Sequence, residues 1–395
     1  MVIDVLVAGG GPAGSATAAL LAQRGCRVLV VDRAAFPRPK ACGDYLNPGC
    51  DEILDRLGAR DAVARAGAPI RGMRCVTPDG AVIALPFPRR NGWTVPRRDL
   101  DQILLEHAER AGAEILDAHR IVALDRQSRG VRVILDGRRG RDDRLARLVV
   151  GADGLRSTVA RAAGMGGVAR RGRYTVGAYL AGLEAADPGA RRWGELHLRR
   201  DGYCGIAHLP NGLANVTIAV PRSTIRAWRG DLEAGYWSWL RRCLGLRDRL
   251  DGVVRAGPFS AVGPLGYHRR LAGRGRVLLV GDAAAHLDPM TGQGVYLALR
   301  GAELCAEAAA AALEGTGASA VRGYARARQR EFGLVFAASR LVQSLAFRPW
   351  IVRRAAGRLG RHTDLRARLI GAIGNTEAMS TILRPAFLAR LLGAA

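Results

Sequence analysis

Hydrophobic and polar positions divide the 395-residue chain into stretches of different period. Val2 to Ala8 is a short, mainly apolar run followed by glycines, and Arg27 to Val31 is a second that ends at Asp32. Such runs, without alternation, predict parallel strands buried on both faces. Between them, Ser15 to Arg24 is rich in Ala and Leu and reads as a helix that Gly25 ends. Leu100, Ile103, Leu104 and His107 recur at helical spacing and predict a helix over Leu100 to Ala111. Further strands are expected at Ile121–Leu124, Val131–Leu135, Leu148–Gly151 and Arg276–Val280, with short ones between Ile70 and Trp93. Val176–Leu180, Gly194–Leu198, Tyr203–Leu209 and Asn215–Val220 read as an antiparallel sheet. From Gly294 onward the pattern is mostly helical, with breaks at Pro349 and Pro385. The strand–helix segments at 1–70, 97–170 and 262–315 thus interleave with β-rich ones at 71–96 and 171–261, and 316–395 forms a helical C-terminal region.

The formal charge is +25, from 60 Lys+Arg and 35 Asp+Glu. Lys40 is the only lysine, so the excess reads as Arg-rich codon usage. No basic block with interleaved aromatics occurs, which argues against specific nucleic-acid binding. The seven cysteines are scattered without a Cys-x-x-Cys, and the histidines are too dispersed for a metal site. With no signal-peptide pattern, a reduced cytoplasmic setting is expected. No apolar run reaches the ~18–20 residues that a membrane span needs. Arginines 340, 348, 353, 354, 358, 361, 366 and 368, set among apolar residues, raise the expectation of peripheral contact with an anionic membrane.

Three motifs carry chemistry. In Gly9-Gly10-Gly11-Pro12-Ala13-Gly14, Gly9 permits a tight turn, Gly11 lets a pyrophosphate approach the backbone, and Gly14 allows close helix–strand packing. The helix N-terminus that follows favours anions. Asp32, followed by Arg33, stands where an acid accepts ribose hydroxyls. The second motif is Gly151-Ala152-Asp153-Gly154-Leu155-Arg156-Ser157. In the third, a strand ends at Gly281-Asp282, and Asp288-Pro289-Met290-Thr291-Gly292-Gln293-Gly294 opens a helix. That helix N-terminus can stabilise negative charge on a bound group.

In this order and at these intervals the motifs resemble the FAD-binding signatures of the p-hydroxybenzoate hydroxylase superfamily, which includes the geranylgeranyl reductases. The resemblance implies an α/β fold: a three-layer Rossmann-like FAD-binding domain interleaved with a smaller β-sheet substrate domain. It also implies FAD as cofactor and NAD(P)H as a transient reductant. Gly9, Gly11, Gly14 and Asp32 would hold the ADP half, Arg97 of Arg97-x-x-Leu100-Asp101 would contact the cofactor, Asp282 the ribityl chain, and Gly292 and Gly294 the flavin ring. Lys40-Ala41-Cys42-Gly43-Asp44-Tyr45-Leu46-Asn47-Pro48 is similar to the reductases' segment whose cysteine approaches the flavin. The stretch Tyr203 to Pro210 departs from them, lacking the Trp and Phe of their substrate-side sheet.

The departure favours a monooxygenase that hydroxylates or epoxidises an aromatic or polyketide-like molecule. The alternatives are a C=C reductase acting on a prenyl or other lipophilic substrate, and an FAD-binding protein without redox function. Cys42, Tyr203, His208 and His286 are the candidate catalytic residues, with Tyr45 also on the substrate side. Trp237-x-Trp239 continues as Leu240-Arg241-Arg242, unlike the motif of flavin halogenases.

Overall fold

A computed structural model describes residues 3–138, 140–169, 172–186, 189–269 and 271–393. Val2, and the expected segment ends at 1, 170 and 395, lie outside them. In chain order the elements that build the site are β1 (Ile3–Ala8), α1 (Pro12–Ala22), β2 (Val28–Val31), α2 (Arg97–Arg110), β3 (Glu114–Leu116) and β4 (Gly140–Gly151). There follow β5 (Tyr174–Ala181), β6 (Trp193–Arg199), β7 (Gly202–His208), β8 (Ala214–Val220), α3 (Leu232–Arg241) and β9 (Val277–Leu279). The chain then turns helical with α4 (Gly294–Ala311), α5 (Gly317–Ala346) and α6 (Pro349–Arg361).

Strands β9, β4, β1, β2 and β3 lie side by side and run parallel, so strands from three separate stretches of the chain form one sheet. Val7 sits between Val150 and Val30. Val5–Ala8 and all of β2 are buried, which explains apolar runs without alternation. The first half of β4 extends past this sheet and pairs antiparallel with Gly130–Gly137. Helix α1 packs against both α2 and α4. It is made almost wholly of small residues and buried nearly all round, as a helix without a polar face must be.

The second sheet runs β5, β8, β7, β6, Gly72–Val76, Val82–Pro86. These neighbours are antiparallel apart from β6 and Gly72–Val76, which run parallel with Trp193 opposite Gly72. The antiparallel pairing expected for β5 to β8 holds, and the parallel pair joins β6 to a strand from outside that stretch. The two strands are far apart in sequence, so no hairpin constrains their direction. Period-2 alternation gives the sheet two different faces. Ala214, Val216, Ile218 and Val220 pack towards α3 with Tyr236 and the fully buried Trp239. Trp239 is therefore part of the core. Asn215, Thr217 and Ala219 point the other way. On that face Leu198, Tyr203 and Ala219 join Met290 and Val352 in an apolar cluster, flanked by Val342, Ala346 and Phe347 of α5 and its end. Helix α6 and the Pro385–Leu392 helix both begin at their proline, where the missing N–H costs no hydrogen bond.

Candidate functional site

The glycine motif folds as its spacing demands. Gly9 has φ +106°, and a Cβ there would stand 2.5 Å from the Ala152 carbonyl oxygen. A Cβ at Gly14 would overlap the Gly9 carbonyl oxygen itself. Gly11 is different: its nearest neighbours are the Arg38 and Arg97 guanidinium groups, 3.6 and 4.0 Å from a Cβ position. It N-caps α1 without a side-chain hydrogen bond, with Pro12 in the first turn. Free helix N–H groups, the helix dipole and two guanidinium groups thus converge on one open spot, a fitting cradle for a pyrophosphate.

Asp32 ends β2. Its Oδ2 accepts the Gly10 N–H at 2.8 Å and its Oδ1 the Ala34 N–H at 2.9 Å, which fixes the carboxylate beside the glycine turn. Arg33 is exposed and points away from the core. Arg97 is clamped by Asp101 through Nε at 2.8 Å and Nη2 at 2.9 Å, and Asp101 also pairs with Arg38 at 3.2 Å. Burial lowers Arg97, but the Asp101 carboxylate more than offsets it, so its guanidinium stays charged.

Lys40 is solvent-accessible in the cleft, and its Nζ lies 3.9 Å from a Cβ position at Gly154, which joins the first two motifs. The cleft walls desolvate its ammonium, and Arg97 and Arg38 repel it; together they lower its pKa against the pull of Asp282. Asp153 spends Oδ2 on the N–H groups of Thr158 (2.6 Å) and Val159 (3.1 Å). Its Oδ1 is buried without a protein partner, an acceptor left over for a bound group. Asp282 follows β9, with its carboxylate 43% exposed and the His286 Nε2 at 4.0 Å. Gly281, at φ +59°, lets this turn approach Ala13, whose Cβ is 2.8 Å from a Cβ position there. Gly292, at φ +62°, receives the Tyr45 ring where a side chain would stand. Gly294 begins α4 with open space around it and no side-chain cap.

The Cys42 segment closes over this cleft. Asp44 is buried with φ +53° and accepts hydrogen bonds from Asn215 Nδ2 at 2.8 Å and from the Arg97 N–H at 3.0 Å. Burial raises the Asp44 carboxyl, against hydrogen bonds from Asn215 and the Tyr179 hydroxyl. Asn215 Nδ2 also donates to the Cys42 carbonyl at 2.8 Å, so β8 anchors the loop at two points. Burial raises the Cys42 thiol, with Arg97 pulling the other way. Burial and then Asp44 push the Tyr179 hydroxyl up. Tyr45 is raised by burial as well.

The other sequence candidates are placed apart. Tyr203 is buried and donates to Asp288 Oδ1 at 2.6 Å, while Arg173 holds Asp288 Oδ2 at 3.1 Å. Asp288 caps the turn that leads through Pro289 to Gly292. Tyr203 therefore ties the sheet to the cofactor loop, and its phenol has no free proton to offer. His208 is a correction to the expected catalytic set. It stands opposite Ala214 on the α3 side of the sheet, with Nε2 3.5 Å from Glu195. Glu195, buried there, is held by His197 at 2.8 Å and Arg249 at 2.7 Å. Tyr203 and His208 are five positions apart on one strand, so they face opposite ways. Arg38, Asp44, Tyr179 and Asn215 join the site without having been singled out from the sequence. Residue type alone carried no signal for Tyr179 or Asn215, but the run Phe36-Pro37-Arg38-Pro39 next to the glycine turn could have flagged Arg38.

A pyrophosphate cradle, a ribose-side acid, an open helix N-terminus and a second carboxylate form one continuous line, which is the outline of a dinucleotide carrying a flavin. A family described as "FAD binding domain" matches residues 2–333. The chain belongs to this family. Menaquinone reductase of Mycolicibacterium smegmatis is 34% identical over 331 residues, covering 77% of this chain and 75% of its own. Digeranylgeranylglycerophospholipid reductase 2 of Methanopyrus kandleri is 30% identical over 350 residues, covering 85% and 84%. The flavin-dependent brominase Bmp2 superposes with a TM-score of 0.85 over 97% of this chain and 98% of its own, at 18% identity, a likeness of fold. The resemblance to the p-hydroxybenzoate hydroxylase and geranylgeranyl reductase superfamily thus holds, and the chain is an FAD-dependent oxidoreductase. No helix among the described residues is long and apolar enough to cross a membrane.

Proposed function

We propose that this flavoprotein is a reductase that saturates a C=C bond in the polyprenyl chain of a lipid, with NAD(P)H as the source of electrons. The observation that carries this reading is the half-buried Cys42, anchored by Asn215 on the loop that closes the flavin cleft, where desolvation favours the neutral thiol. C=C reduction needs a hydride and a proton, and a positioned acid contributes ~10²–10⁴-fold. The two relatives described above are both named reductases, one of menaquinone and one of digeranylgeranylglycerophospholipid.

When bound, FAD supplies the hydride. Gly11 and the α1 N-terminus, with Arg38 and Arg97, would hold its pyrophosphate; Asp32 and Asp282 would accept its hydroxyls; Lys40 and the α4 N-terminus would face its reduced ring. Cys42 Sγ delivers the proton to the carbon that does not receive the hydride. Asn215, by fixing the Cys42 carbonyl and the Asp44 carboxylate together, keeps that thiol on the cleft. Tyr179 and Asp44 stand behind it as a route by which the thiol regains its proton.

Access to such a lipid accounts for helix α6. Trp350, Arg353, Arg354, Gly357 and Arg361 are exposed at helical spacing, with Trp350 60% exposed and no acidic residue in the helix. This outward face matches an anionic membrane surface. Hydroxylation or epoxidation of an aromatic or polyketide-like molecule is the second reading, favoured by the missing Trp and Phe between Tyr203 and Pro210.

Stopped-flow mixing of pre-reduced enzyme with a polyprenyl substrate, without oxygen, tests the first reading. Cys42→Ala should slow flavin reoxidation by ~10²-fold or more while leaving flavin reduction by NAD(P)H unchanged. Equal reoxidation rates in wild type and variant would exclude Cys42 as the acid.

A further inference from the structure

A cavity of about 310 Å³ opens beside His286, outside the cradle of Gly11, Lys40, Cys42 and Gly292. Helix α5 supplies Phe336, Arg340 and Gln343 to its wall, and Arg173, Leu287 and His286 complete it. Its polar lining is more basic than acidic, with Arg173 and Arg340 against Asp288. Gln343 Nε2 and His286 Nδ1 are both buried without a partner. Arg340 is exposed at the rim and makes no ion pair among the described residues. The acid in the wall, Asp288, is already committed to the Tyr203 hydroxyl, the Met290 N–H and Arg173. Arg173 is spread over the Phe347 ring at 4.0 Å, which fixes its guanidinium plane. A cavity with an unpaired Arg340 guanidinium, an acid already compensated by Arg173 and an unpartnered Gln343 amide is complementary to an oxygen-rich anion.

We infer that this cavity binds the phosphate-bearing part of a small molecule, with Arg340 and Gln343 as the recognising residues. The inference concerns binding and does not depend on which redox reaction the flavin performs. His286 links the cavity to the flavin cleft, because it stands in the cavity wall while its Nε2 lies 4.0 Å from Asp282. A phosphate held here would therefore belong to a molecule that reaches the flavin. Two such molecules share the chemistry: the NAD(P)H that reduces the flavin, and a lipid substrate with a phosphorylated head.

Inorganic pyrophosphate titrated calorimetrically into FAD-loaded enzyme tests the site, since bound FAD blocks the Gly11 cradle. Saturable binding is expected in wild type, weakened about 10-fold or more in Arg340→Gln and several-fold in Gln343→Leu. An unchanged thermal midpoint of the holoenzyme shows that each variant is folded. Displacement of pyrophosphate by NADPH assigns the cavity to the reductant, and displacement by geranylgeranyl diphosphate assigns it to the substrate head. No saturable binding, equal binding in both variants, or binding that neither competitor displaces would overturn the inference. None of these readouts requires turnover, so failure of the reductase reading leaves them intact.

Discussion

Two glycines of one motif should respond in opposite ways to substitution. Gly14→Ala puts a Cβ onto the Gly9 carbonyl oxygen, a backbone atom in a turn fixed by β1 and α1. Strand and helix must separate, at a cost of about 3 kcal/mol or more. Gly11→Val meets nothing closer to its Cβ than the Arg38 Nη2 at 3.6 Å, and φ −80°, ψ −177° is ordinary extended backbone. Its cost to the fold is about 1 kcal/mol, from a poorer N-cap residue. The valine does fill the space that a pyrophosphate would use. Losing two charge-assisted hydrogen bonds of about 1.5–3 kcal/mol each weakens FAD binding by ~10²–10⁴-fold. Thermal unfolding of the apoprotein by circular dichroism reads the first effect, and fluorescence titration with FAD reads the second. Gly11→Val should unfold near the wild-type temperature and fail to take up flavin; Gly14→Ala should unfold early. A Gly11→Val protein that binds FAD with wild-type affinity would refute the cradle.

Three further outcomes follow from the charges. Burial alone would raise Glu195, but His197, His208 and Arg249 hold it well below the usual carboxylate range. Its contribution is thus fully present above the unfolded value of about 4.3 and is lost as pH falls below that. Glu195→Gln should cost about 3–5 kcal/mol at neutral pH, measured by denaturant unfolding, and progressively less below about pH 4; a pH-independent difference would contradict this. Lys40, lowered in the free protein, should hold its proton more tightly when an anionic cofactor sits beside it. FAD affinity should then fall as pH rises through the Lys40 pKa, by at most about tenfold per unit, and Lys40→Met should be flat. Finally, the enzyme should co-sediment with anionic vesicles at low salt and release at high salt, less tightly in an Arg353→Gln, Arg361→Gln variant. No sedimentation at low salt would exclude the α6 surface.

What the sequence revealed tracks how local each constraint is. The turn at Gly9 to Gly14 is set by sterics within a few residues, so residue types alone disclosed it, as they did the apolar runs of β1 and β2. Asp44 and Asn215 lie 171 positions apart and meet only because the second sheet folds against the first. No local pattern announces such a pair. His208 was legible in principle, because an odd separation from Tyr203 on one strand forbids a shared face. The apolar cluster over Tyr203 needed α5 and α6 in place. Lys40 stood out as the single lysine, and it does reach the Gly154 turn.

The most direct measurement is the mass of the product formed from a polyprenyl lipid by FAD-loaded enzyme and NAD(P)H, with and without labelled oxygen. The account predicts the same product in both cases, two hydrogens heavier than the substrate and free of label. Product that forms only with oxygen and carries the label would contradict it.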